Sequence, residues 1–446
     1  MSVALTRTAT TRPPVKVKVI GGGFAGCEAT YQLAKRGVDV TLCEMKPQKK
    51  SPAHHLDTLC EVVCSNSFKS MDEHTSSGLL KAEMELLDSL VLRVAKKCAV
   101  PAGNALAVDR YKFSEMITGE LHKFSNVTVV SQVVDNLSTD GFDAVIVATG
   151  PLTDDSLIPA FKNLFGEEFL YFFDAVAPIV TAESIDYDSA FVASRYNKGD
   201  ADYLNCPMDK QEYLEFYSNL VSAETVELKD FENNVFEGCM PIEVMAKRGE
   251  DTMRFGPLKP VGLFDSRKSE KPYAVLQLRK ENKQGTLYNL VGFQTNLKFG
   301  EQKRVFSLIP ALKDAEFVRY GVMHRNTYMN APKFLNKYFQ LKSNPKLFFA
   351  GQLTGVEGYV ESTLSGLVAG IEAYRLISGL QPLDFGGKTI TGALCNHVST
   401  EFGTYSPMNC NFGILEPLSE RTHKSDRKAK YAERAIAEMK TIITSL

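Results

Sequence analysis

Three cysteines stand in surroundings where a sulfur can do chemistry. Cys239 lies in NNVFEGCMPIEVMAKRGEDTMRFGPLKP (233–260), between Gly238 and Met240-Pro241. A thiol in a turn so rich in Gly and Pro is either a small apolar filler or a nucleophile, and the stretch alone does not decide. Cys60 and Cys64 lie in LDTLCEVVCSNSFKS. On a helix this spacing puts both on one face. Three readings stay open: a redox dithiol, Cys64 acting alone in the polar CSNS loop, or two buried small side chains. His54-His55 lines a pocket or caps a turn; its spacing does not suit a metal pair.

Such sulfurs need a frame, and the N-terminal third supplies one. In VKVKVIGGGFAGCEATYQLAKRGVDVTLCEMKP, 15–20 is β-branched and predicts a strand, followed by Gly21-x-Gly23-x-x-Gly26. A helical pattern through Ala29, Leu33 and Ala34 is closed by Gly37, and a second strand from 38 ends at Glu44. Gly21 permits the tight turn, Gly23 lets main chain approach a pyrophosphate, and Gly26 lets helix and strand pack closely. The free amides of the helix start, from Gly22 through Phe24 and Ala25, then face the phosphates. Glu44 stands where a carboxylate accepts from ribose hydroxyls. These features predict a dinucleotide site.

Two later stretches select the dinucleotide. GFDAVIVATGP (141–151) is a short apolar strand ending in Ala148-Thr149-Gly150. PKLFFAGQLTGVEGYVESTLSGLVAGIEAYRLI (345–377) is a strand ending at Gly351, then a helix carrying Ser362, Ser365, Gly366, Ala369 and Gly370. The trio resembles the glutathione-reductase-type FAD fold, with Gln352 where many members carry Asp. No second GxGxxG is present, so NADH or NADPH would dock transiently at the flavin.

The expected fold is α/β: a discontinuous Rossmann-type FAD domain over 15–160 and 325–446, with an α+β domain inserted at 161–324. Residues 1–14 read as a disordered tail. Strands are expected at 273–278 and 288–295, and a helix at 213–221. The chain has 446 residues, 44% hydrophobic and 23% charged, which suits a globular enzyme. No apolar run is long enough for a membrane span. Nine cysteines without a secretory signal point to a reducing, cytoplasmic location. A net charge of −2 exerts no general pull on nucleic acid, so RNA binding would rest on local basic runs at 267–283 and 421–434.

Eight stretches carry a more specific resemblance: PAHHLDTLCEVVCSNSFKS, GLLKAEMELLDSL, VPAGNALAVDR, YLNCPM, FEGCMPIEVMAKRGEDTMRFGPLKPVGL, GVMHRN, FAGQLTGVEGYVES and SPMNCNFGIL. In this order, over about 15–440, the chain resembles TrmFO, the bacterial folate- and FAD-dependent tRNA (uracil-5-)-methyltransferases. It departs at Cys27, where Ser is common, at Cys410, and in its N-terminal tail. The resemblance implies transfer of a one-carbon unit from 5,10-methylenetetrahydrofolate, through reduced FAD, to C5 of the T-loop uridine-54 of tRNA, with NAD(P)H as electron source and no metal. It puts the functional cysteines at Cys64 and Cys239, and adds Asp109, Arg110, Gly358, Tyr359 and Glu361 to the cofactor set.

Uracil C5 is a poor nucleophile until a thiolate adds at C6. Cys239 is expected to attack C6 and Cys64 to remove the C5 proton, an order the sequence does not enforce. Lys247 and Arg248 lower the Cys239 pKa if they fold back, and otherwise solvate a surface. His324, Arg325 and Asn326 are candidates for folate or phosphate contacts, and Tyr359 and Phe293 for stacking on pterin or base, with core roles as the alternative. Rival readings are an rRNA uridine methyltransferase with the same cofactors, a thiol–disulfide flavoenzyme using Cys60 and Cys64, and a non-catalytic flavin-binding RNA chaperone.

Overall fold

The computed structural model describes residues 15–51, 53–166, 169–175, 177–197, 200–226, 240–282, 284–321, 323–401, 405, 407–420, 422–423 and 425–446. The chain begins with strand β1 (Lys16–Ile20), helix α1 (Phe24–Ala34) and strand β2 (Asp39–Glu44). β1 and β2 pair in parallel, so α1 is a crossover across one face of the sheet. The sheet runs, edge to edge, Gln340–Leu341, Asn344–Phe349, Ala144–Val147, β1, β2, Val127–Ser131. Every pairing is parallel except the hairpin at the Gln340 edge. The carboxyl ends of five strands therefore open on one side, where parallel α/β sheets hold ligands.

Helix Tyr359–Ile377 lies directly on α1. Small residues make this possible: a Cβ on Gly366 would stand 2.1 Å from the Ala25 carbonyl oxygen, and one on Gly370 2.9 Å from that of Ala29. The closeness holds the late helix's N-terminus beside the Gly-rich turn.

A second, antiparallel sheet runs Phe191–Val192, Leu204–Met208, Ala274–Lys280, Leu287–Leu290, Ile179–Thr181, Phe317–Arg319. It encloses its own core with helix Lys210–Ser222, whose start is fixed by a reciprocal Asp209–Glu212 capping box. The strand expected over 288–295 stops at Leu290. Gly292 turns the chain at φ +79° and sends Phe293 into this core, against Phe216 and Phe306. Two antiparallel strands, Phe169–Ala175 and Met323–Met329, join the halves. Phe161 and Phe165, on helix Ile158–Phe165, pack into the first core against Phe349, so that core extends past residue 160. Among the described residues, no helix is long and apolar enough to cross a membrane.

Candidate functional site

At the carboxyl end of β1 the main chain forms a cradle. Gly21 turns at φ +104°, and a Cβ there would strike the Ala148 carbonyl oxygen at 2.4 Å. Gly26 lies so close beneath the turn that a Cβ would come within 1.8 Å of the Gly21 oxygen. Gly23 differs: a Cβ there would meet nothing within 4 Å. The turn is thus packed from below and open above, over the first amides of α1, as a pyrophosphate needs. A cavity of about 1080 Å3, open mouth included, runs from Glu44, Lys46 and Gln132 past Gly21–Gly23 and Thr149 to Gly351, Gln352 and Tyr359. An extended dinucleotide such as FAD fits this outline.

Glu44 does more than await a ribose. Its carboxylate accepts from the Gly22 amide at 2.7 Å and the Lys46 amide at 3.0 Å, tying the turn to the end of β2. Lys46 forms a buried pair with Glu61 at 3.5 Å and donates to the Thr58 carbonyl at 2.6 Å. The thiol of Cys27 donates to the Gly22 carbonyl oxygen at 3.2 Å, a bond a serine hydroxyl would also make. At the far end Gln352 donates to Glu357, and the Gly351 amide donates to the Ser365 hydroxyl oxygen.

The Cys60–Cys64 segment is not helical. Cys60 turns with φ +53° and is buried toward Cys27, and burial with that neighbour pushes its thiol well above the usual range. Cys64 instead donates its amide to the Tyr359 hydroxyl at 2.7 Å. With no helix here, the spacing no longer puts the two sulfurs on one face, which removes the helical basis for a dithiol.

Three arginines hold the segment around Cys64. Arg110 donates to the carbonyls of Val62 (2.9 Å) and Cys64 (3.1 Å), and pairs with Glu281 at 2.6 Å. Arg279 donates to Asn66 Oδ1 at 2.8 Å and Ser65 Oγ at 2.6 Å; Arg319 donates to the Val63 carbonyl at 2.5 Å. Arg279, Glu281 and Arg319 come from the second half of the molecule. Sequence reasoning missed all three. The signal was present as charges ending apolar strands, which a solvated basic run does not require.

The remaining expected residues scatter. Thr149 and Gly150 line the cavity, and Thr149 shares a hydrogen bond with Thr153 at 2.7 Å. Asp109 caps helix Arg110–His122, accepting from Lys112 at 3.2 Å; neither it nor Arg110 lines the cavity. Tyr359 stacks on Phe24 at 4.5 Å, so one face of its ring is covered, and burial pushes its hydroxyl well above the usual range. Phe293, a stacking candidate, is fully buried in the second core. Glu361, beside Gly358, is buried, with Oε1 receiving Lys69 at 3.1 Å and the Cys410 amide at 3.1 Å and Oε2 unpartnered. Burial and Glu361 push the Cys410 thiol well above its usual range. Asn326 is buried with its amide nitrogen unpartnered, on a strand that also carries His324 and Arg325 in its backbone. Lys247 and Arg248 are exposed. Cys239 lies outside the described residues.

A Rossmann-type sheet, a cradle open above Gly23 and a second lobe clamped onto a cysteine loop define a flavoprotein-like class. The fold is shared with solved structures: two crystal forms of Aquifex aeolicus GidA match with TM-scores of 0.70 and 0.69 at 15% and 16% identity, over 96% of this chain and 73% and 76% of theirs. The family model of glucose inhibited division protein A matches residues 16–381. Curated relatives narrow this further. The methylenetetrahydrofolate--tRNA-(uracil-5-)-methyltransferases TrmFO of Bacillus licheniformis and Desulfitobacterium hafniense are 52% and 54% identical, over 96% and 95% of this chain and 99% and 97% of theirs. The chain belongs to the TrmFO family.

Proposed function

We propose that this protein methylates C5 of the T-loop uridine of tRNA, with 5,10-methylenetetrahydrofolate as carbon donor, FAD as cofactor and NAD(P)H as electron source. The observation that carries the reading is the near-full-length identity to TrmFO proteins, which spans the cradle and the Cys64 loop alike. Gly21 to Gly26, Glu44, Thr149, Gly351 and Gln352 would hold FAD along the cavity. Bound there, reduced FAD supplies the one-carbon carrier and the hydride.

The protein's own part is to activate the uracil. A thiolate adding to C6 pushes the C5=C6 electron pair toward C5 and O4, and C5 then takes the one-carbon unit. Removal of the C5 proton, hydride delivery to the one-carbon unit and expulsion of sulfur leave the ring carrying a 5-methyl group. Cys239 is assigned the addition and Cys64 the proton. Arg110 and Arg319 fix the main chain of the Cys64 segment, and Arg279 holds its Ser65 and Asn66 side chains. His324 and Arg325 are assigned to folate or phosphate. The T-loop uridine is buried in folded tRNA, so the base has to be turned out to reach either sulfur. The described cysteines form no disulfide, which suits the reducing cytoplasm proposed as its location.

Mass spectrometry of undermodified tRNA after incubation with enzyme, NAD(P)H and labelled methylenetetrahydrofolate tests the reading. Label is expected at the T-loop ribothymidine. Label confined to an rRNA transcript would assign the rRNA reaction, and no label with reducible bound flavin would refute the proposal.

A further inference from the structure

A second cavity adjoins the first at Glu61, which lines both. Its open space is about 1250 Å3, mouth included, and its walls come from both halves: His55, Arg110 and Tyr111 from one, Glu281, Phe299 and Arg319–Tyr320 from the other. Two polar atoms on this wall lack partners. Glu281 is buried and gives its Oε2 to Arg110 at 2.6 and 2.8 Å, while Oε1 accepts nothing. Arg319 spends Nη2 on Val63, while its buried Nε donates to nothing. Unsatisfied buried groups of this kind cost stability unless a ligand completes them. Burial, then the nearby Arg110 charge, makes the Arg319 cation harder to hold without an acceptor.

An aromatic wall stands beside them. Tyr320 is stacked between Phe299, at 4.8 Å and 19°, and Phe317, at 5.5 Å and 10°. Phe299 is about half exposed and lines the cavity, so the stack ends at a ring that solvent and a flat ligand can reach.

We propose that this groove holds the uracil ring of the RNA substrate, Glu281 Oε1 accepting from N3–H and Arg319 Nε donating to an adjoining carbonyl oxygen. The proposal rests on the uridine-methylating reading above and adds the groups that recognise the base. A uracil edge offers one donor flanked by two acceptors, which one free carboxylate oxygen and one free N–H complement. Cytosine presents a bare N3 to the same carboxylate and is repelled. A pterin edge offers two neighbouring donors, N3–H and the 2-amino group, and calls for both carboxylate oxygens, one of which Arg110 already holds. The position suits the chemistry: Arg319 and Arg110 bond the carbonyls of Val63 and Cys64, so a ring in the groove lies against the segment that bears the Cys64 sulfur.

The test is a cycle of enzyme and substrate changes on the flavin-loaded protein. tRNA carrying uridine or 3-methyluridine, which has no N3–H, at the T-loop target is offered to the wild type and to Glu281→Gln. The wild type is expected to lose roughly tenfold to a hundredfold in kcat/KM on 3-methyluridine, as when a charged hydrogen bond is removed. Glu281→Gln should lose a similar factor on uridine, with its 3-methyluridine penalty reduced to about threefold or less, because the two changes remove one interaction. Should Glu281→Gln fail to fold, Arg319→Gln serves: it should lower kcat/KM for tRNA about tenfold with flavin content and the folate KM unchanged. A wild type that accepts 3-methyluridine as well as uridine overturns the subsite alone. So does a variant whose penalties simply add, or one that raises only the folate KM, which would place pterin in the groove. A wild type that methylates no tRNA uridine overturns the functional reading and the subsite together.

Discussion

The cradle around Gly21–Gly26 and the loop around Cys64 sit side by side but are built by opposite means. The cradle is main chain: a turn, the first amides of α1, and glycines wherever a Cβ would collide or block. The Cys64 loop has little regular structure of its own and is held by arginine side chains, two of them more than 200 residues away in sequence. A main-chain site tolerates change at most side chains but almost none at its glycines. A side-chain clamp invites the reverse, since Arg110 binds three partners, Arg279 two and Arg319 one, and removing Arg110 strands buried carbonyls and a carboxylate.

The largest effect that would sharpen this contrast is at Gly26. Gly26→Ala forces a Cβ into the Gly21 carbonyl, and we expect a protein without bound flavin, destabilised by at least about 3 kcal/mol; absorbance at flavin wavelengths and chemical denaturation read both. A variant with full flavin occupancy would break the main-chain account. Arg110→Ala comes next, leaving the buried Glu281 carboxylate without its ion-pair partner. A loss of about 3–5 kcal/mol is expected in denaturant titrations, with methylation falling further than flavin content.

A carboxylate in the first half gives a third measurement. Glu83 is buried across the start of helix Ile390–His397 and accepts from the amides of Ile390 and Thr391 and from the Thr391 hydroxyl. Burial, opposed by those donors, raises its pKa from 4.5 to about 7. The folded protein therefore holds a proton that the unfolded chain releases earlier, and stability falls as pH rises from about 4.5 to 7. The change is on the order of 3 kcal/mol at most, and Glu83→Gln should flatten this part of the curve of melting temperature against pH. Asp209→Ala removes the capping box of helix Lys210–Ser222 and should cost about 1 kcal/mol, leaving flavin binding intact. Cys60→Ala is expected to change methylation least of all; loss of turnover in a folded, flavin-loaded variant would revive the dithiol that the geometry argues against.

Much of the first half could be read in one dimension. A strand, GxGxxG, a helix and a terminal acid are close in sequence, and their spacing is the geometry, because hydrogen bonds within a βαβ unit are local. The late strand and its small-residue helix were legible for a related reason: only glycine and alanine allow two helices to approach as α1 and Tyr359–Ile377 do. The CxxxC spacing misled because it presumed a helix, and helices are decided by the whole segment and its burial. Glu281, Arg319 and Phe299 carry no motif at all. Sequence alone determined the dinucleotide cradle and the family, since both are written in contiguous words. Only the tertiary structure decided which charges clamp the Cys64 segment and which are left unpartnered in a groove. Those pairings cross hundreds of residues, and a buried charge reveals its purpose only when its partners, or their absence, can be seen.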